Sequence, residues 1–220
     1  MRAILPIAYA AYSRFPRASH TNLSWCANIH NGIMPDVDLA RVTSRLGASI
    51  DVELGNAKPT ILILGPSIRG RRLSQAAKLR KEILHRAKES GVGVKGELTQ
   101  LIKEAQKRFT KPISLCTVEL EIAVISDAIV LVPASPGSFA EFGMFALAQG
   151  LTCPILVLLD RKHKNKRSYL RHGPTKAMSD GGAVIRWVNY ARTKTVLDLV
   201  MKHIDLAKER VLTRQRFGRG

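Results

Sequence analysis

The sequence predicts an α/β fold, with a parallel sheet of about five strands and helices on both faces. Short apolar runs alternate with longer segments in which apolar residues recur at helical spacing. The three strongest runs are residues 60–64, 128–132 and 154–159, and each is apolar on both faces. Strands of that kind are typical of a sheet buried under helices on both sides. The alternation therefore indicates a doubly wound sheet of the flavodoxin- or Rossmann-like type.

Two weaker apolar segments and a set of amphipathic stretches complete the predicted fold. Residues 92–94 and 183–188 are the weaker strands. Helices are predicted where apolar side chains recur every three or four residues. These helices are residues 71–90, 97–109, 113–126, 139–150 and 193–214, with a shorter element at 169–178.

The predicted fold occupies only part of the chain. The 220 residues are enough for one α/β domain with an extension. Residues 1–57 lack clear periodicity and form an N-terminal extension, residues 58–214 form the domain, and residues 215–220 form a basic tail. No run of about 18 apolar residues occurs, so no membrane partner is expected.

Cysteine and histidine usage gives no indication of a metal site. Cys26, Cys116 and Cys153 lack metal-ligand spacing, and the six histidines are not paired at such spacing either. We expect reduced cysteines in a cytoplasmic protein. The sequence also lacks the glycine-lysine motif of P-loop nucleotide-binding proteins, and no cofactor is predicted.

The net charge of +18 is unevenly distributed along the chain. Residues 112–160 contain no lysine or arginine, whereas residues 69–111 carry 13 of them and residues 161–220 carry 16. Such clustering suggests a polyanion partner, DNA or RNA first, and a solvated basic surface is the alternative. The candidate nucleic-acid-binding residues are Arg69, Arg71, Arg72, Lys162, Lys164, Lys166 and Arg167.

The main candidate site lies in residues 126–143, within the segment that has no basic side chains. This stretch reads as a strand, a turn of small residues and the start of a helix. Glu141 follows Ser138 by three residues, which is the spacing of a capping box, in which the glutamate bonds back to the helix start. A helix start at the carboxyl end of a parallel strand is also where α/β proteins bind ligands. The spacing leaves both roles open for Glu141.

Three further positions are candidates for a binding site. The turn Gly65-Pro66-Ser67 directly follows the first strand, and such a turn can present its amides to a phosphate. Asp127 lies at the entrance to the central strand, where a loop hydrogen bond is the alternative role. Glu121 lies on the helix before that strand, where a solvated surface carboxylate is the alternative.

These motifs together resemble the nucleoside 2-deoxyribosyltransferase superfamily. The shared features are a strand ending in Gly65-Pro66 and a later loop, SPGS-x-x-E-x-G-x-F, which opens a helix. The sequence resembles in particular the deoxyribosyltransferase-like effectors found with bacterial retrons, and this likeness extends to YLRHGPT at residues 169–175. The resemblance covers about residues 60–200.

The resemblance implies a role for each matched residue. Glu141 matches the family's nucleophile, and Glu121 falls where the family has an acidic residue that acts on the base. Ser135 belongs to the implied catalytic set but stands where the transferases carry a second aspartate, which favours cleavage over base exchange. The implied substrate-binding residues are Gly65, Pro66, Ser67, Asp127, Gly137 and Ser138.

The activity implied by the resemblance is that of an N-glycosidase acting as an antiphage effector of a retron. It would cleave the base–(deoxy)ribose bond of a nucleoside, a nucleotide or NAD, with NAD as a substrate rather than a cofactor. The implied partners are reverse-transcribed DNA, the retron reverse transcriptase and further copies of the chain in a homo-oligomer.

Two alternative functions remain open. A nucleotide phosphoribohydrolase of the lysine-decarboxylase-like type carries a loop, P-G-G-x-G-T-x-x-E, that is similar to residues 136–141. The other alternative is a non-catalytic nucleotide sensor or nucleic-acid-binding module that uses the same site. The charge of +18 and the serine at position 135 favour this second alternative.

Overall fold

The computed structural model describes residues 58–97, 100–103, 107, 114–148 and 151–218. Within this part of the chain, five strands form a parallel sheet in the order β2-β1-β3-β4-β5, which confirms the predicted fold class. Each predicted strand agrees with the observed bounds to within one residue at each end. The strands are β1 Thr60–Leu64, β2 Gly93–Lys95, β3 Ala128–Leu131, β4 Ile155–Asp160 and β5 Val184–Val188.

Helices connect the strands and cover the sheet. Residues 100–103 and 107 are helical, whereas the rest of the helix predicted over 97–109 lies largely outside the described residues. The predicted extension over residues 1–57 and the last two residues of the tail also lie outside them. The labelled helices are α1 Gln75–Glu89, α2 Leu115–Val124, α3 Pro136–Leu147, α4 Tyr169–His172, α5 Pro174–Asp180 and α6 Thr193–Phe217.

Serine caps decide where two of the helices begin. The Ser74 hydroxyl accepts a hydrogen bond from the Ala77 amide at 3.1 Å, so α1 begins at Gln75 rather than at residue 71. The Ser114 hydroxyl accepts one from the Thr117 amide at 3.2 Å at the start of α2. The first cap leaves Arg71 and Arg72 in the loop that follows β1.

The sheet separates two apolar cores, because successive side chains of a strand point to opposite faces. Ile61 and Ile63 of β1 pack with residues of α1 and α6 on one face. Leu62 and Leu64 pack with residues of α2, α3 and α5 on the other. All four β1 side chains are buried, as expected for a strand with helices on both sides.

The strand order creates a crevice at the carboxyl edge of the sheet, between β1 and β3. Leu64 is paired with Leu131, so the loops that follow these two strands leave the sheet side by side. A Cβ added to Gly65 would lie 2.9 Å from the Val132 carbonyl oxygen, so only glycine allows this close approach. The chain enters α1 on one face after β1 and α3 on the other face after β3. This is the topological switch point at which open α/β sheets bind ligands.

Asp127 forms hydrogen bonds that stabilise the amino edge of the sheet. Its Oδ2 accepts a hydrogen bond from the Thr60 amide at 2.8 Å, and its Oδ1 accepts one from Nη1 of Arg214 at 3.1 Å. Asp127 therefore links the start of β1 to the last turns of α6, at the edge opposite the crevice.

A glycine pattern in the chain has the spacing of a dinucleotide-binding motif but not its structural context. Residues 91–96 read G-x-G-x-x-G. In the functional motif these glycines follow a strand and open a helix, whereas here β2 occupies the middle of the pattern. Among the described helices, none is long and apolar enough to cross a membrane.

Candidate active site

A cavity of about 300 Å³ opens at the crevice between β1 and β3. The loop after β1, the amino end of α3 and residues of α1 and α2 form its walls. Seven of the residues predicted from the sequence line it, which brings the turn after β1 and the loop after β3 into one site. These are Gly65, Ser67, Arg69, Ser135, Gly137, Ser138 and Glu141.

Glu141 presents a largely buried carboxylate to this cavity. Its Oε2 atom is inaccessible to solvent and has no hydrogen-bond partner among the described residues. Burial and, secondarily, the charge of Glu119 raise the pKa of Glu141 to about 7, while the charge of Arg80 opposes that rise. Near neutral pH this carboxyl group therefore exists in both protonation states. Groups tuned in this way are typical of sites that carry out chemistry.

Of the two roles that the spacing left open for Glu141, the capping box with Ser138 is not formed, because the helix begins one turn earlier. Pro136 occupies the first turn of α3, where its fixed φ favours the helix, and Ser135 is the N-cap. The Ser135 hydroxyl accepts a hydrogen bond from the Ser138 amide at 3.3 Å, and the Ser138 hydroxyl accepts one from the Ser135 amide at 2.8 Å. The two serines cap the helix by themselves. Glu141 is thereby left out of the cap and faces the cavity.

A second buried carboxylate, Glu119, comes from α2. It is 5% exposed and lines the same cavity. Burial raises the pKa of Glu119, and the charge of Arg80 opposes the rise. The sequence-based assignment chose Glu121 instead, but the structure places Glu121 at the surface of α2 and outside the cavity lining. Two residues along a helix differ in direction by about 200°, so the two glutamates cannot share a face.

The sequence does contain a signal for Glu119, namely its place in the apolar stripe of α2. Ile122 and Ala123 follow it by three and four residues, and both are buried. At that spacing they lie on the same side of the helix as Glu119. A carboxylate inside the apolar stripe of a helix is a stronger candidate for a site than one outside it.

Arg80 of α1 brings a buried positive charge to the site. It is 6% exposed and also lines the cavity. Its guanidinium group donates four hydrogen bonds, all to backbone carbonyl groups. Nη1 bonds to Gly65 at 2.9 Å and Pro66 at 2.8 Å, and Nη2 bonds to Ile63 at 3.2 Å and Gly96 at 2.7 Å.

The turn after β1 presents its serine at the edge of the cavity. Pro66 is buried beneath the turn, whereas Ser67 is exposed and lines the opening. The Ser67 hydroxyl accepts a hydrogen bond from the Arg69 amide at 3.2 Å, which shapes the following loop. Gly137 lies across the cavity, and a Cβ there would meet no atom within 4 Å. Asp127 is absent from the cavity lining, since it lies at the opposite edge of the sheet.

Two exposed basic loops flank this edge of the sheet. Arg69, Arg71 and Arg72 follow β1, and the second group follows β4. All the strands are parallel, so both loops lie at the carboxyl edge, where the cavity opens. Among the described residues, no cluster of histidine, cysteine, aspartate and glutamate is suited to a metal ion. The second basic group consists of Lys162, Lys164, Lys166 and Arg167.

Comparisons with known proteins place the chain among retron proteins. Residues 76–218 match the family model described as STM3845 retron effector protein. The chain is 38% identical over 65 residues to a protein of Escherichia coli retron Ec86, and 30% identical over 66 residues to one of retron Ec73. Both relatives carry the provisional name ribosyltransferase/DNA-binding protein. Each match covers 30% of this chain, and the chain spans only 21% of the length of each relative.

Proposed function

The chain belongs to the STM3845 retron effector family, and on that basis we propose that it is an N-glycosidase whose nucleophile is Glu141. Its substrate is a nucleoside, a nucleotide or NAD, and its product is the free base. The observation that carries this proposal is the pair of buried carboxylates, Glu119 and Glu141, which line one cavity at the switch point of the sheet. Paired carboxyl groups are the usual catalytic groups of glycoside cleavage.

Glu141 supplies the negative charge that the reaction requires. As the bond between C1′ and the base nitrogen breaks, its electron pair leaves with the base and positive charge develops on the sugar. The ionised Glu141 carboxylate bonds to C1′ or stabilises this charge, and the oxygen of a water molecule then adds to C1′. The base nitrogen needs a proton wherever the leaving base would otherwise be an anion.

We assign the proton donor to Glu119 rather than to Glu121. Burial keeps Glu119 protonated to a higher pH than an exposed carboxyl group, because its pKa is raised. Glu121 is exposed and lies outside the cavity lining. After cleavage, Glu119 can recover its proton from the attacking water.

The serine at position 135 favours hydrolysis over transfer of the sugar to a second base. A transferase must hold an acceptor base in the cavity as well as the sugar, and in the resembling transferases an aspartate stands at this position. Here the Ser135 hydroxyl is bonded to the amide and the hydroxyl of Ser138 as part of the helix cap. Water is therefore the acceptor that we propose.

The basic loops support reverse-transcribed DNA as a second partner. The seven lysine and arginine residues named in these loops lie at the edge where the cavity opens, and all seven are exposed. Phosphate contacts by such side chains bind nucleic acid with little sequence preference. The provisional names of the retron relatives include DNA binding, which supports the same proposal for this chain.

The deciding experiment measures release of free base by chromatography from nucleosides, nucleoside monophosphates, their deoxy forms and NAD. We expect the wild-type protein to release base from at least one of them and Glu141→Gln to lose that activity. Equal release by the two proteins would refute the proposal. Release from nucleoside monophosphates alone would favour the phosphoribohydrolase. Ligand binding that survives in Glu141→Gln, with no product from either protein, would favour the nucleotide sensor.

A further inference from the structure

Arg80, in the middle of α1, is buried to a degree that is unusual for an arginine. Arginine is rarely buried without a partner for its charge, yet this side chain is only 6% exposed. Its four hydrogen bonds to residues that the structure describes go to carbonyl groups, and none of these four goes to a carboxylate. Backbone amides or water could satisfy carbonyl groups without burying a charge. The charge itself therefore requires an explanation.

The hydrogen bonds of Arg80 join three pieces of backbone at the carboxyl edge of the sheet. Ile63 lies in β1, Gly65 and Pro66 form the turn after it, and Gly96 follows β2. A Cβ at Gly96 would lie 2.1 Å from the Ile63 carbonyl oxygen, so these segments are closely packed. The planar guanidinium group can serve several acceptors in a fixed geometry, which the ammonium group of lysine cannot do.

The charge of Arg80 acts on the carboxylates that share the cavity. The carboxylates are Glu141 of α3, Glu119 of α2 and Glu97 in the segment after β2, and each of them attracts the charge of Arg80. Burial raises the pKa of both Glu119 and Glu141, and the attraction of Arg80 opposes that rise. In a partly buried site this attraction is weakly screened. Arg80 is thus a buried cation that is hydrogen-bonded to the turn after β1 and electrostatically coupled to the proposed nucleophile.

We propose that Arg80 is a positioning residue with two roles: it holds the Gly65–Ser67 turn in place, and it keeps Glu141 available as an anion. The second role matters only for a reaction that needs ionised Glu141, so it rests on the proposed function. The first role depends only on the hydrogen bonds. The two roles can be separated, because lysine retains the charge without reproducing the hydrogen bonds.

The direction of the electrostatic effect is fixed by the sign of the charge. A nearby cation favours the ionised form of a carboxyl group, so its removal raises the pKa of that group. Without Arg80, a smaller fraction of Glu141 is ionised at pH 7. Any reaction that needs ionised Glu141 then requires a higher pH.

The experiment compares Arg80→Met and Arg80→Lys with Arg86→Met, a control at an exposed arginine of the same helix. Hydrogen exchange at the amides of Gly65 and of residues 67–70 reports on the turn. Carbon NMR titration of the Glu141 carboxyl group reports on its ionisation, and neither measurement needs a substrate. The pH dependence of base release is recorded in parallel.

We expect faster exchange in the turn for both Arg80 variants and no change for Arg86→Met. The titration midpoint of Glu141 should rise by about one pH unit in Arg80→Met and stay near the wild-type value in Arg80→Lys. The acid limb of base release should move with it. Should Arg80→Met fail to fold, Arg80→Gln, which also removes the charge, replaces it in the titration, and the same rise in the Glu141 midpoint is expected.

Wild-type exchange in a folded Arg80→Lys variant would overturn the first role, and an unshifted midpoint in a folded Arg80→Met variant would overturn the second. A wild-type protein that releases no base from any probe refutes the proposed function instead, since exchange and titration are measured without turnover. The two failures are therefore distinguishable.

Discussion

Glu119 of α2 and Glu141 of α3 line the same cavity, and the charge of Glu119 adds to burial in raising the pKa of Glu141. Ionisation of one carboxyl group opposes ionisation of the other, so the pair holds a single proton over a range of pH. The proposed reaction uses the form in which Glu141 is ionised and Glu119 holds that proton. Glycoside cleavage needs one ionised group and one proton donor. The relationship between these two residues supplies the chemical basis for the proposed reaction.

Neutralising Glu119 should impair base release much more than neutralising Glu121. Glu119→Gln removes the proposed proton donor, and we expect a loss of about 10²–10⁴-fold in kcat for substrates whose base needs protonation. Glu121→Gln is the matched control on the same helix, since its side chain is exposed and outside the cavity lining. Steady-state kinetics of the two variants provides the comparison. Equal losses, or a larger loss in Glu121→Gln, would contradict the assignment of the donor.

Base release should increase with pH through the region near pH 7. Burial raises the pKa of Glu141 from 4.5 to about 7, and the reaction requires its ionised form. The acid limb of the rate profile should therefore lie about two and a half pH units above that of an ordinary glutamate. A pH profile of kcat/KM for a substrate that does not itself titrate there tests this directly. An acid limb near pH 4.5 would show that a different group controls the rate.

The same group should make the folded state less stable as the pH rises. Between pH 4.5 and 7 the folded protein binds more protons at Glu141 than the unfolded protein does, so the free energy of unfolding falls with increasing pH. Glu141→Gln removes this loss. We expect the variant to be more stable than the wild type at pH 8 by about 1–3 kcal/mol, allowing for partial exposure of the site to solvent.

Urea unfolding of the two proteins at pH 5 and pH 8 measures this difference. Most of the stabilisation by Glu141→Gln should disappear at pH 5, where the wild-type carboxyl group is protonated in the folded state. A stabilisation that is equal at both values of pH would point to packing rather than ionisation.

Gly65→Ala should weaken the fold more than Gly137→Ala. The backbone at Gly65 has a φ of 154°, and an added Cβ would lie 2.9 Å from the Val132 carbonyl oxygen. We expect a loss of about 1–3 kcal/mol in the free energy of unfolding. Gly137 has no atom within 4 Å of an added Cβ, so alanine there should be tolerated. Chemical unfolding of both variants tests the contrast, and similar losses would argue against close packing at the turn.

Binding of single-stranded DNA should depend steeply on salt and on the loop after β1. Replacing Arg71 and Arg72 with glutamine removes two exposed cations and should reduce the slope of log K against log salt by about one for each phosphate that the protein no longer neutralises. Lys202→Gln, on the exposed surface of α6, is the control. Fluorescence anisotropy with a labelled oligonucleotide at several salt concentrations measures the slopes. Identical slopes for the two variants would exclude this loop as the binding surface.

The strands could be predicted from the sequence because their signal is local. Residues 60–64 form an apolar run that is buried almost from end to end, and the structure reproduces its limits. The start of α3 was harder to predict, because Ser135 and Ser138 both fit a capping pattern and only the three-dimensional arrangement selects between them.

The candidate site could be predicted only in part, because two of its charges are specified by long-range contacts. Glu141 was found through its loop motif. Arg80 was not, because its partners Ile63 and Gly96 are 17 and 16 residues away in the chain and no local pattern marks the contact. The resemblance indicates α2 through Glu121, whose side chain is exposed, whereas Glu119, on the buried face of the same helix, lines the cavity.

The cap formed by Ser135 and Ser138 has a consequence for the proposed reaction. Neither hydroxyl group ionises at neutral pH, so the start of α3 keeps its hydrogen bonds while Glu141 gains and loses a proton. A glutamate that belonged to the cap would weaken the helix each time it was protonated. The architecture separates the group that changes charge from the groups that hold the backbone, so repeated cycles of the proposed reaction would leave the start of α3 intact.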